Sequence, residues 1–174
     1  MGNRKSVISG TIVFSETQQF RTTWLWAILI SCVLISAVVT VATVLADETN
    51  KLQATITLVI IVPLETLMIY LFYIVKLQTT VTTEGVFYRW WPFLKKYSFI
   101  ERNEIERIEQ GISPALSYGF HNIPDYGSVH NTGPGKGLIF ILKDHRRIFI
   151  GTKKLNEFQS AVESIIKVKG PFDY

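Results

Sequence analysis

The run "NTGPGKGLIFILKDHRRIFIGT" at residues 131–152 sets a lysine, Lys136, in a glycine-rich stretch, the composition of a loop that cradles phosphate. A loop of the Walker type needs GxxxxGK followed by Ser or Thr, between a strand and a helix. Here Lys136 is followed by Gly137 and then by an apolar, strand-like run, so the glycines read as a turn into a β-hairpin. "FIGTKK" does lead from a strand-like run into a helix-like one, and a helix N-terminus favours anions. Without a glycine-rich loop, Thr152 reads more simply as a residue that satisfies free amides at a helix start. The residues with types suited to metal or acid–base chemistry are His121, Asp125, His130, Asp144 and His145. None pairs at a zinc-ligand spacing, although a loop holding His121 and His130 could bring them together. No Ser-His-Asp set and no paired carboxylates stand out. The expectation is a non-enzymatic protein with no catalytic residue, no metal and no cofactor.

A second chemical feature is a carboxylate in an apolar run. Glu65 lies near the centre of "LQATITLVIIVPLETLMIYLFYIV". In a bilayer an ionisable group there costs about 2.5–3.5 kcal/mol on insertion scales, so it should be neutral, partnered or both. Pro63, two residues earlier, removes a helix hydrogen bond and can kink the helix. Counting back through the connector from Thr49 puts Glu65 level with about Val33 on the preceding apolar run. That run carries Cys32, Ser36, Thr40 and Thr43 at helical spacing, and Ser and Thr can hydrogen-bond across a helix pair. One reading is that protonated Glu65 bonds Ser36, or a nearby carbonyl, and pins the pair. The others are a proton or ion relay and a contact with another membrane subunit. Two helices alone cannot enclose a water-filled path.

The third feature is "RWWPFLKK". Trp90, Trp91 and Phe93 beside Lys95 and Lys96 suit an aromatic-basic tip at a membrane interface or in a partner's groove. The same residues also suit an ordinary strand with core aromatics.

These residues need elements to position them. The chain has 174 residues, a net charge of +4 and 18% charged residues, against roughly 25% in an ordinary soluble domain. Residues 24–46 contain no Asp, Glu, Lys, Arg or His, and residues 52–75 contain one such residue, Glu65. Each stretch exceeds the about 20 residues that cross a hydrocarbon core as a helix. The alternative for the first, a cleaved signal peptide, is disfavoured by its length and by the second span that follows. The sole cysteine, Cys32, permits no disulfide within the chain. Arg4, Lys5 and Arg21 precede the first span; Lys76, Arg89, Lys95 and Lys96 follow the second. The positive-inside rule then puts both termini in the cytoplasm, with Trp24, Trp26, Tyr70 and Tyr73 at the cytoplasmic border. The domains expected are an N-terminal cytosolic or interfacial arm (1–23), a first transmembrane helix (24–46), an external connector (47–51), a second transmembrane helix (52–75) and a cytosolic module (76–174). In the arm, Ser15 could cap a short helix whose Phe14 and Phe20 rest on lipid head groups.

In the module, "TTVTTEGVFYRWWPF" predicts a hairpin turning at Glu84-Gly85, "KKYSFIER" and "NEIERIEQGI" predict further strands, and "SYGFHNIPDYG" predicts a long loop. "SVHN", "GLIFILK" and "RRIFIG" predict three more strands, the last two joined by a turn in which His145 stands where Gly is preferred. Leu155, Phe158, Val162, Ile165 and Ile166 form one apolar stripe of a C-terminal helix, which Gly170-Pro171 stops. The expected fold is a membrane α-helical hairpin plus an α+β module of five to seven antiparallel strands and one helix that plugs an open end of the sheet.

"FSETQQFRTTWLW", "KLQTTVTTEGVFYRWWPF" and "KGLIFILKDHRRIFIGTKKLNEFQSAV" carry a resemblance. The chain resembles small bacterial membrane proteins in which two helices precede a pleckstrin-homology-like (PH-like) domain of unknown function. A Tyr-Gly-Gly-Trp-Gly-like loop of that family is reduced here to Tyr118-Gly119-Phe120, and Leu155 replaces a proline before the last helix. The resemblance implies a PH-like β-barrel capped by a helix, and no activity. The functional expectation is an inner-membrane scaffold whose cytosolic module binds a protein partner or lipid head groups. Its alternative is an accessory subunit that docks through the hairpin around Glu65. Membrane lipid and a protein partner are expected, and nucleic acid is not.

Overall fold

The computed structural model describes residues 3–46, 51–113, 118–124 and 127–167. They form two units, one made of residues 20–74 and one that combines residues 3–19 with 75–167. Residues 47–50 of the expected connector (47–51), Asp125 and the helix stop at Gly170-Pro171 lie outside the described residues; Lys51, expected in the connector, already belongs to a helix.

The first unit is helical. α1 (Thr23–Ala46) is followed by α2 (Lys51–Ile56), one π turn (Thr57–Ile61) and α3 (Val62–Ile74). α1 has 24 residues, about 36 Å at 1.5 Å each. Among the described residues it is the one helix long and apolar enough to span a membrane, over Thr23–Leu45; Leu58–Ile74 is a shorter apolar stretch. The π turn stands immediately ahead of Pro63. Proline has no N–H to give the Val59 carbonyl, and its ring collides with that carbonyl. Adding a residue to the turn relieves the collision, which is how such bulges arise. Partly covered positions recur at Trp26, Leu29, Val33, Ser36, Thr40 and Thr43 on α1, and at Val62, Glu65, Ile69 and Phe72 on α3. Spacings alternating between 3 and 4 make one seam on each helix. The remaining faces are apolar too, with Leu34, Ile35, Val38, Val59 and Leu64 exposed. A helix pair that is greasy all round belongs in a core or in lipid.

The second unit holds two five-stranded sheets and one helix. In the first sheet β1 (Asn3–Lys5), β5 (Tyr97–Glu101), β4 (Gly85–Trp91), β3 (Lys76–Thr82) and β2 (Ile12–Gln19) lie side by side in that order, all antiparallel. In the second the order is β6 (Ile105–Ile112), β9 (Lys136–Leu142), β10 (Arg147–Gly151), β8 (Gly127–Asn131) and β7 (Gly119–Ile123). There β8 and β10 run parallel, and the other pairs antiparallel. α4 (Leu155–Lys167) closes the unit. Its stripe falls as the 3.6-residue period requires: Phe158, Val162 and Ile165 are buried, and Leu155 and Ile166 partly so. They share one core with Phe14, Val81, Val86 and Ile100 of the first sheet and Leu138, Phe140, Ile148 and Ile150 of the second.

The α+β class and the C-terminal helix are as expected, but the strand inventory is not. The described residues hold ten strands rather than five to seven, and one pair is parallel. β7 occupies what reads as loop, and the N-terminal arm supplies β1 and β2. No short helix starts at Ser15, whose hydroxyl lies 3.4 Å from that of Thr80 on β3. Phe14 rests on no lipid surface; it is buried and stacks on Phe158 with ring centres 5.3 Å apart. Glu16 and Gln18 occupy inward positions on β2, which hides the strand's alternation.

Candidate functional site

Four places hold the residues singled out by the sequence. The first lies within the helical unit. The Ser36 hydroxyl is 2.8 Å from Glu65 Oε2 and 2.9 Å from the Val33 carbonyl. Counting through the connector puts Glu65 level with about Val33, one turn from this contact. A hydroxyl has one hydrogen to donate, and Ser36 shares it between Glu65 Oε2 and the Val33 carbonyl. Thr40 and Thr43 do not reach across. Their hydroxyls donate to carbonyls of their own helix, Thr40 to Ser36 at 2.8 Å and Thr43 to Thr40 at 2.8 Å, as Ser and Thr commonly do in apolar helices. Cys32 is exposed and lies off the seam. At the aromatic end the Trp26 indole donates to the Phe20 carbonyl at 2.8 Å, and Phe20 meets Phe72 edge-on at 5.5 Å.

The second place is the β4–β5 turn. Gln19 pairs with Lys76 and Lys76 with Trp91, so the three form a row across one end of the first sheet. The turn starts from that row. Arg89 stiffens it: Nε donates to Gln78 Oε1 at 2.7 Å, Nη1 donates to the Lys95 carbonyl at 3.2 Å, and the guanidinium lies 4.1 Å from the centre of the Tyr97 ring. Trp91 and Phe93 are 39% and 63% exposed, and Lys95 and Lys96 are exposed as well. Trp90 does not belong with them. It points to the opposite face, is buried, and donates its indole N–H to His130 Nδ1 at 3.1 Å. The sequence lists both tryptophans side by side, and only strand register decides which one turns inward.

The third place is a buried polar seam that sequence reasoning missed. The Glu16 carboxylate accepts from the Thr152 hydroxyl at 2.6 Å, the Lys153 amide at 3.0 Å and Gln18 Nε2 at 3.2 Å. Gln18 also donates to the Gly151 carbonyl at 2.7 Å and accepts from Thr132 at 3.2 Å. The Thr152 hydroxyl accepts from the Lys154 amide at 2.9 Å. A carboxylate at a helix N-terminus meets free amides and the positive end of the helix dipole. The anion seat at the start of α4 is therefore filled by the chain's own Glu16. The glycine-rich run beside it leads into β9. A Cβ on Gly137 would stand 2.5 Å from the Ile150 carbonyl oxygen, so this glycine serves strand packing. The alternation Phe14, Glu16, Gln18, Phe20 is the signal that could have revealed the strand.

The histidines form the fourth place. His130 is packed among Tyr88, Trp90 and Phe120. Burial, and secondarily the neighbouring His121, push its pKa from 6.5 down to about 3. It is thus a neutral acceptor with its ring proton on Nε2. His145 sits in the β9–β10 turn at φ 67°, the left-handed conformation for which Gly is preferred. Asp144 there accepts from the Arg146 amide at 3.1 Å, which is the largest of the contacts holding its carboxyl below the usual range. Among the described residues no three of His, Cys, Asp and Glu gather as a metal site. A cleft of about 410 Å³ is lined by Lys5, Thr83, Glu84, Phe99, Glu101, Arg102 and Asn103, its cations matched by its carboxylates. Its one lysine is already engaged, 3.3 Å from Glu84 and 3.8 Å above the Phe99 ring.

No protein-family model, no curated protein and no solved structure matches this chain.

Proposed function

We propose that this protein is a non-enzymatic scaffold of a bacterial inner membrane. An α-helical hairpin crosses the bilayer twice and carries a cytosolic PH-like α+β module that holds a protein partner or lipid head groups. The observation that carries the reading is the pairing of β2 with β3 and of β1 with β5. Strands from before and after the apolar segment share one sheet, so residues 3–19 and 76–101 lie on one side of any membrane. A segment between them crosses an even number of times. Two crossings fit α1 and the continuous helical run at 51–74, and they keep both termini on the side with the basic flanks. The PH-like assignment is supported by strands that share a core with one C-terminal helix.

An alkaline-carbonate wash tests the anchoring. The protein should stay with the membrane pellet and leave it only in detergent; release by carbonate alone would contradict the proposal. Co-purification in mild detergent then identifies what the module holds.

A second reading, an accessory subunit of a larger membrane complex, draws on one observation. Glu65 is only half-buried on α3, and one of its carboxyl oxygens, Oε2, is engaged by Ser36; a lateral partner would meet the residue from its open side. Loss of a larger native complex on Glu65→Leu, with the helices still folded, would favour it.

A further inference from the structure

We propose that the β4–β5 turn, residues 91–96, docks on the anionic phospholipid head groups of the bilayer that holds the helices. The proposal rests on the anchoring reading above. Its first support is position. Gln19, Lys76 and Trp91 share one row of the sheet, so the turn leaves from the end at which the chain departs toward α1 and returns from α3. A chain that enters the bilayer from this end keeps the turn beside the lipid surface. The second support is chemistry. Trp91, with the Arg89 guanidinium 5.3 Å from its ring centre, and Phe93 are both exposed, and aromatic rings favour the head-group depth. Lys95 and Lys96 follow, and among the described residues neither ammonium group has an acidic partner. Arg89 braces the turn from behind.

The third support is charge polarity along the strands. No acidic residue occurs between Glu84 and Glu101. Those two flank the opposite end of β4 and β5, where Gly85 pairs with Glu101, and Glu104 follows nearby. The exit end is basic and aromatic with no acid, whereas the far end sets its carboxylates beside Lys5 and Arg102. Anionic lipid attracts the first and has no net attraction to the second.

The test uses the full-length chain in nanodiscs of phosphatidylcholine alone or of phosphatidylcholine and phosphatidylglycerol in equal parts. A fluorophore is placed by Phe93→Cys, or by Glu84→Cys as the far-end control, in a Cys32→Ser background, and is quenched by head-group spin-labelled lipid. The label at position 93 should be quenched, and more strongly in the anionic discs, while the label at 84 is not. Lys95→Gln and Lys96→Gln should each weaken the contact equilibrium by about fivefold in anionic discs. Equal quenching at 93 and 84, or no dependence on phosphatidylglycerol, would overturn the proposal and leave the turn as a protein contact or a plain solvated loop. Native Cys32, labelled in the unaltered chain and read with an acyl-chain quencher, reports the anchoring separately. Quenching at Cys32 without quenching at 93 rejects the lipid tip alone. Quenching at neither rejects the anchoring and the tip together.

Discussion

Ser36 on α1 and Glu65 on α3 meet at 2.8 Å, and theirs is the side-chain hydrogen bond that joins the two helix seams among the described residues. The other hydroxyls of α1 are turned back onto their own helix. Removal of Ser36 takes this contact from the Glu65 carboxyl group, whereas removal of Glu65 leaves Ser36 its bond to the Val33 carbonyl. A double-mutant cycle with Ser36→Ala and Glu65→Leu, read by unfolding in detergent, should give a coupling energy of about 1 kcal/mol, typical of such bonds between apolar helices. A coupling near zero would mean that the contact contributes nothing to helix pairing.

Glu16 joins β2 to the start of α4 by accepting from Thr152 and Lys153. Truncation strands the Lys153 backbone amide, just ahead of α4, and a buried hydroxyl. Glu16→Ala should lower stability by about 2 kcal/mol, measured by chemical denaturation of the intact chain in detergent. The same substitution at exposed Glu84 should cost far less, since its partners, Ser9 and Lys5, are solvated.

His130 makes the second unit sensitive to acid. Its pKa falls from 6.5 to about 3 on folding. Between those values the unfolded chain binds the extra proton, so stability rises with pH; it is complete above the unfolded value and is lost as pH falls toward the folded one. At pH 5 the loss should reach about 2 kcal/mol relative to neutral pH, from 1.36 kcal/mol per pH unit. Denaturation curves over this range should be steeper in pH for the native chain than for His130→Phe, and equal slopes would show that His130 titrates as if exposed.

The β9–β10 turn keeps a non-glycine residue at φ 67°. The His145 amide donates to the Leu142 carbonyl at 2.8 Å, closing a three-residue hairpin loop whose last position favours glycine. His145→Gly should raise the midpoint of thermal unfolding, with a gain of about 1 kcal/mol. A fall would show that the imidazole itself supports the turn.

Much of this architecture is legible from local pattern. The apolar helical runs, the β3–β4 and β9–β10 hairpins, the stripe of α4 and the approach of Glu65 to Ser36 near the depth of Val33 all follow from spacing along the chain. β2 is hidden because its inward Glu16 and Gln18 are satisfied by Gly151, Thr132, Thr152 and Lys153, partners far away in sequence. β7 is hidden because it is a short edge strand, with Gly119 at φ 84° and alternate residues left open to solvent. Trp90 and Trp91 differ only in which face of β4 they occupy, and that depends on pairing with β3 and on His130 lying opposite.

The central claim is that Gln19 and Lys76, neighbours in one sheet, bracket a segment that crosses a membrane twice. Labelling with a membrane-impermeant maleimide in spheroplasts, using Thr49→Cys or Glu84→Cys in a Cys32→Ser background, tests it most directly. The account predicts that position 49 is labelled from outside and position 84 only after lysis. Labelling of both positions from the same side, or recovery of the protein from the soluble fraction, would contradict it.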